Sequence, residues 1–115
     1  MKPELEFFDP SGLPWRPMAG AAVGLSEQVL ADDPEAGVWT RFLRFEPGCD
    51  TSANGVLVHD FWEEIYIVSG SVRDLRLERE FSAGMVACRP PGMEHGPWRS
   101  EGGCVMFEVR YRRAG

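Results

Sequence analysis

Short runs rich in Val, Ile, Phe, Tyr and Trp, broken at close intervals by turn-forming residues, fill the chain from Gly37 onward. No stretch there repeats apolar positions at the spacing of an amphipathic helix. The pattern predicts a compact all-β sandwich or barrel. Predicted strands cover residues 24–31, 38–46, 56–68 (interrupted around 60–63), 72–77 and 81–89, then a short extended piece at 96–99, and 104–111. Between them lie turn signals. Asp32-Asp33-Pro34-Glu35-Ala36-Gly37 closes a hairpin between the first two strands, and Pro47-Gly48 and the small polar run 49–55 make a loop. Ser69-Gly70 is predicted to turn, as are Glu78-Arg79-Glu80 and Glu101-Gly102-Gly103. Pro90-Pro91-Gly92 cannot continue a ladder and is a loop. Pro3, Pro10, Pro14 and Pro17 make residues 1–20 an extended arm, lying on the body of the protein or on a partner subunit.

Length and composition narrow the class. With 115 residues there is room for one domain, and 43% hydrophobic residues are enough for a real core, so a disordered linker is excluded. No apolar run approaches the roughly 18 residues of a membrane span, and Met1-Lys2-Pro3-Glu4 does not read as a signal peptide. The net charge is −6, with no basic cluster before Arg110, Arg112 and Arg113, so nucleic acid is an unfavoured partner. Lys2 is the only lysine, which removes Schiff-base chemistry away from the N-terminus. Cys49, Cys88 and Cys104 form no C-x-x-C pair and read as reduced thiols of a cytoplasmic protein. A disulfide plus one free thiol is the alternative. Cys88 and Cys104 read as packing residues.

Only two histidines are present, His59 and His95. His59 is followed by Asp60-Phe61-Trp62-Glu63-Glu64, and His95 follows the rigid Pro90-Pro91-Gly92-Met93-Glu94 loop. Two imidazoles and a carboxylate on neighbouring strands suit a divalent metal such as Fe(II), Mn, Ni, Cu or Zn. Strand alternation lets only one of Glu63 and Glu64 point inward.

These stretches resemble the cupins, the RmlC-like superfamily of small β-barrels. Its second signature, G-x5-P-x-G-x2-H-x3-N, is matched by Gly84, Pro90, Gly92 and His95, with Arg99 where the family has Asn. Its first, G-x5-H-x-H-x3,4-E-x6-G, is matched by His59, Glu63 and Gly70. Leu57 stands in the first histidine slot and Thr51 in that of the opening glycine. Both signatures lie within residues 48–99. Residues 59–66 and 89–95 further resemble the cupin domain of ChrR-type anti-sigma factors and, more distantly, acetylacetone-cleaving dioxygenases.

The resemblance implies one cupin domain over residues 1–115, a six- to eight-stranded antiparallel jelly-roll barrel (double-stranded β-helix). It implies a divalent metal held by His59, Glu63 and His95, the E-x6-G count selecting Glu63 over Glu64. Glu64 and Tyr66 are weaker choices for an acid or base. Phe61, Trp62 and Trp98 are taken as pocket lining, and Arg99 and Arg41 as cations for an anionic small molecule at the barrel mouth. Whether the chain is an enzyme stays open. A metal-dependent dioxygenase or isomerase stands beside a non-catalytic sensor module of the ChrR kind and a metal-free barrel. A homodimer is expected, since a barrel of this type leaves edges for the arm to cover.

Overall fold

A computed structural model describes residues 1–18 and 20–113. Ala19 of the predicted arm and Ala114 and Gly115 at the end of the predicted domain lie outside the described residues. The described residues are nearly all β, with nine strands rather than six to eight: β1 (Arg16–Pro17), β2 (Leu25–Asp33), β3 (Val38–Phe45), β4 (Cys49–Asp50), β5 (Trp62–Asp74), β6 (Arg79–Ser82), β7 (Val86–Arg89), β8 (Trp98–Ser100) and β9 (Cys104–Tyr111). They follow the order β1-β2-β3-β9-β5-β8-β4, with β6 and β7 also paired to β5, and every pairing is antiparallel. The sheet curls into a half-barrel.

β5 is the strand that makes the curl. Residues Trp62 to Gly70 pair with β9, and Glu63 to Tyr66 also pair with β7. Ser71 to Asp74 instead pair with β6, and Arg73 and Asp74 with β8. The ladder to β9 shifts register between Ile67 and Ser69, leaving Val68 as the extra residue of a bulge. A bulge bends its strand and resets which face each residue presents. Inward positions are accordingly Glu63, Ile65 and Ile67 before it, and Val72 and Asp74 after it. The predicted reversal at Ser69-Gly70 is thus a bend inside one continuous strand. Gly70 has φ +75° and lies so close to Gly103 that a Cβ would overlap the Gly103 carbonyl oxygen. Only glycine fits such an approach.

Other boundaries move for similar reasons. The reversal predicted at residues 78–80 occupies residues 75–78, capped by the buried Asp74 carboxylate, which accepts from the Arg76 and Leu77 amides at 3.0 and 2.8 Å. The predicted strand 81–89 is two strands, β6 and β7, interrupted by a turn at Ala83-Gly84 but running in the same direction, both antiparallel to β5. Residues 56–61 hold only one bridge, Leu57 to His95. The arm lies on its own chain: β1 pairs β2, the Gln28 side chain donates to the Pro10 and Leu13 carbonyls, and the Lys2 ammonium donates to Thr40 Oγ1.

The core fills the concave side. Leu43 and Phe45 from β3, Ile65, Ile67 and Val72 from β5, and Cys104 and Met106 from β9 are all buried there together with Cys49. None of the three cysteines is in a disulfide; Cys88 is exposed, while Cys49 and Cys104 are buried.

Candidate metal centre

Register sets out the site row by row. Toward one end of the half-barrel, Leu43, Met106 and Ile67 face each other across β3, β9 and β5. The next row is Arg41, Glu108, Ile65 and, on β7, Ala87. The outermost row is Trp39, Arg110, Glu63 and Arg89. The inner face therefore grades from apolar to charged as it nears the strand ends. Directly opposed residues on an antiparallel pair have Cβ atoms about 5 Å apart, so Glu63 has an arginine on either side.

Two histidines close over this row. His59 precedes β5, and His95 is held by a two-way backbone pairing with Leu57, 2.8 and 3.0 Å. The imidazole centroids lie 4.7 Å apart. One ligand atom from each of His59, Glu63 and His95 falls within 4.8 Å of the others. His95 Nδ1 is 3.2 Å from the Met93 carbonyl oxygen. A carbonyl only accepts, so this contact places the proton on Nδ1 and leaves the Nε2 lone pair free. Burial pushes the pKa of both imidazoles below the ordinary value, the neighbouring Arg89 adding to the effect at His95 while Glu63 opposes it at both. Both rings are thus neutral at neutral pH, the form that binds a metal. The donor set, two imidazole nitrogens and a carboxylate, fits a first-row divalent ion.

The charges around the cluster are paired with one exception. Arg89 Nη1 donates to Glu63 Oε1 at 2.7 Å, which leaves Glu63 Oε2 without that partner. Arg41, buried, pairs with Glu108 at 3.0 Å and with Glu27. Glu108 also accepts from Trp39 Nε1 at 3.2 Å, and its pKa is raised by burial, with Arg41 acting against the rise. Arg110 is the exception. Its guanidinium is clamped between the rings of Trp39 and Phe61, 3.6 Å from each centroid, and its Nε is buried without a hydrogen-bond partner. Burial pulls its pKa down to about 10, so it stays charged at neutral pH.

Two cavities meet at this cluster. One, of about 130 Å³, is bounded by His59, Glu63, His95 and the three arginines Arg41, Arg89 and Arg110, with Leu57 also in its wall. The other, of about 280 Å³, is lined chiefly by apolar side chains such as Ile67, Val72, Phe81 and Met85. Ile65, Arg89, His95, Trp98 and Met106 belong to both walls.

The structure sorts the residues singled out from sequence. It brings His59, Glu63, His95, Arg41 and Trp98 together at the cavities. It does not bring Glu64 or Tyr66 there. Both alternate to the outer face of β5 and are exposed. Trp62 shares that face and stacks on Tyr111 at 6.0 Å. Phe61 is buried but stands behind His59, stacked on it at 4.4 Å, outside both cavity walls. Arg99 does not reach the mouth. It points outward to Glu101 at 2.6 Å and Asp50 at 3.7 Å, because β8 begins at Trp98 and its alternation, not that of the loop before it, sets the facing. Sequence reasoning missed Arg89, Glu108 and Arg110. A signal for the last two existed, since Met106, Glu108 and Arg110 share one face of β9 by alternation.

A family profile described as the ChrR cupin-like domain matches residues 4–112. No curated protein sequence matches the chain. Among solved structures, an RmlC-like cupin from Shewanella frigidimarina shares 19% identity at TM-score 0.72, over 96% of this chain and 93% of the other. An acetylacetone dioxygenase from Acinetobacter johnsonii shares 16% at TM-score 0.74, over 95% and 75%. The Rhodobacter sphaeroides complex of SigE with the anti-sigma ChrR gives 21% at TM-score 0.65, over 86% and 50%. At these identities the likeness is one of fold.

Proposed function

The chain belongs to the family of ChrR cupin-like domains, and from that premise we propose that it holds a divalent metal on His59, Glu63 and His95 and a small molecule in the interior beside it. The observation that carries the reading is the convergence of those three side chains within 4.8 Å. Three protein ligands leave coordination positions open, and an ion held that way supplies Lewis-acid chemistry or, as iron, reaction with O₂. Dioxygenase or isomerase chemistry on a small substrate suits this arrangement. The protein's own part is to position the ligand groups. The Met93 carbonyl fixes the His95 tautomer, and Phe61 holds the His59 ring by stacking.

A non-catalytic sensor is the second reading, favoured by one observation: Glu63 Oε1 already accepts from Arg89, so the carboxylate has a partner of its own without an ion. Metal analysis separates the two. Protein purified without added metal is assayed by mass spectrometry together with His95→Ala. The proposal expects near-stoichiometric redox-active metal in the parent and several-fold less in the variant. Equal content in both overturns the ligand assignment. A metal-free parent that still takes up a small ligand favours the sensor.

A further inference from the structure

Arg110 is the one arginine in the wall of the smaller cavity that no carboxylate of the described residues holds at ion-pair distance, although Glu63 stands opposite it across the β5–β9 ladder. Of the three arginines in the wall of the smaller cavity, Arg41 contacts Glu108 and Glu27, and Arg89 contacts Glu63. No carboxylate among the described residues pairs with Arg110. Its Nε is buried without a hydrogen-bond partner, and a buried polar donor left unpaired is costly unless something supplies the missing acceptor. Arg110 is also immobilised: two aromatic faces at 3.6 Å fix the plane of its guanidinium. A planar fork of donors held rigid at a cavity wall is pre-organised for a carboxylate. Apart from the residues it shares with the smaller cavity, the larger lobe is lined chiefly by apolar side chains, with Asp74, Arg76 and Glu94 also in its wall, and has a volume of about 280 Å³.

We propose that the interior binds a small monocarboxylic acid, its carboxylate on Arg110 in the charged lobe and its apolar body in the larger lobe. The inference rests on the reading of the interior as a ligand site, but not on the metal. Charge selects the acid over the matching alcohol, and the apolar lobe selects a chain of several carbons over acetate. Arg110 is the residue that sets this preference, a role that falls to neither Arg99, which is on the outer surface, nor Arg41, which is already paired.

The test uses the full chain stripped with EDTA, titrated calorimetrically at pH 7 with hexanoate, hexan-1-ol and acetate at constant ionic strength. Hexanoate is expected to bind about tenfold or more tighter than hexan-1-ol, the effect of one charge-assisted hydrogen-bonded pair. Acetate is expected to bind far more weakly than hexanoate. Arg110→Gln is expected to erase the preference for acid over alcohol while still binding both. Ala87→Phe, which narrows the larger lobe, is expected to weaken hexanoate and hexan-1-ol alike and leave acetate unchanged. Hexan-1-ol binding as tightly as hexanoate overturns the proposal, as does failure of all three to bind the parent. So does an undiminished acid preference in Arg110→Gln. The comparison within the parent stands even where a variant fails to fold. Metal content measured on the undialysed sample reports separately. Absent metal with hexanoate selectivity intact refutes the metal reading alone, and bound metal with no selectivity refutes this inference alone.

Discussion

Replacing Arg89 by Met tests how the Glu63 carboxylate is shared. Arg89 is 15% exposed and Glu63 5% exposed, and their contact is 2.7 Å. Such a charge-assisted hydrogen bond contributes roughly 1.5–3 kcal/mol. A metal that recruits Glu63 works against that contact, so part of its binding free energy offsets the lost pairing. Removing the arginine removes the competitor, and at about 1.4 kcal/mol per tenfold the affinity for Zn²⁺ or Mn²⁺ should rise by roughly 10- to 100-fold. The metal-free variant should be less stable by about 3 kcal/mol, because Glu63 is left buried and unpaired. Methionine keeps much of the side-chain volume, so the loss is electrostatic rather than a packing defect. The two signs oppose each other, which makes the prediction specific. Competition titration with a chromophoric chelator measures the affinity, and urea denaturation with and without metal measures the stability. Weaker metal binding in Arg89→Met, alongside an intact fold, refutes the idea that Arg89 and the ion compete for one carboxylate.

Three other outcomes follow from the same structure. Gly70→Ala should cost about 3 kcal/mol or more, combining left-handed backbone strain with overlap at the Gly103 carbonyl; Gly12→Ala, with nothing within 4 Å, should stay within about 0.5 kcal/mol. A urea midpoint unchanged by Gly70→Ala contradicts the bend in β5. In metal-free protein, both imidazoles are held below the 6.5 of the unfolded chain, so the unfolded state binds more protons and stability falls as pH drops below about 6.5, by at most about 1.4 kcal/mol per pH unit for each ring. Glu108, raised by burial, acts with the opposite sign, so the comparison is the slope between pH 7.5 and 5.5 against that of a His59→Gln, His95→Gln double variant; identical slopes sink it. Finally, one thiol should react quickly with a chromogenic disulfide. Cys88 is exposed, whereas Cys49 and Cys104 are buried and burial pushes the Cys104 thiol up to about 11. Rapid modification of Cys104, mapped by peptide mass, contradicts its placement in the core.

What the sequence determined by itself is what local chemistry decides. Turn residues between short β-rich runs fixed an all-β chain, and β2, β3 and β9 fall within a residue or two of expectation. The match of His59, Glu63, Gly70, Gly84, Pro90, Gly92 and His95 to the two cupin signatures implied the ligand set, whereas alternation along the strand by itself left Glu63 and Glu64 as alternatives. The bulge at Val68 was not legible, since Ser-Gly serves a reversal and a bend equally well, and the close approach of Gly103 from β9 decides between them. The charged row was not legible either. Arg110, Glu63 and Arg89 come from β9, β5 and β7, and nothing local makes them neighbours. Their meeting depends on the register of two ladders, and one residue of slip would turn each of them to the opposite face. For the same reason Arg99, the cation that sequence reasoning placed at the mouth, ended outside, and Arg110, thought part of a terminal basic cluster, ended beside the histidines.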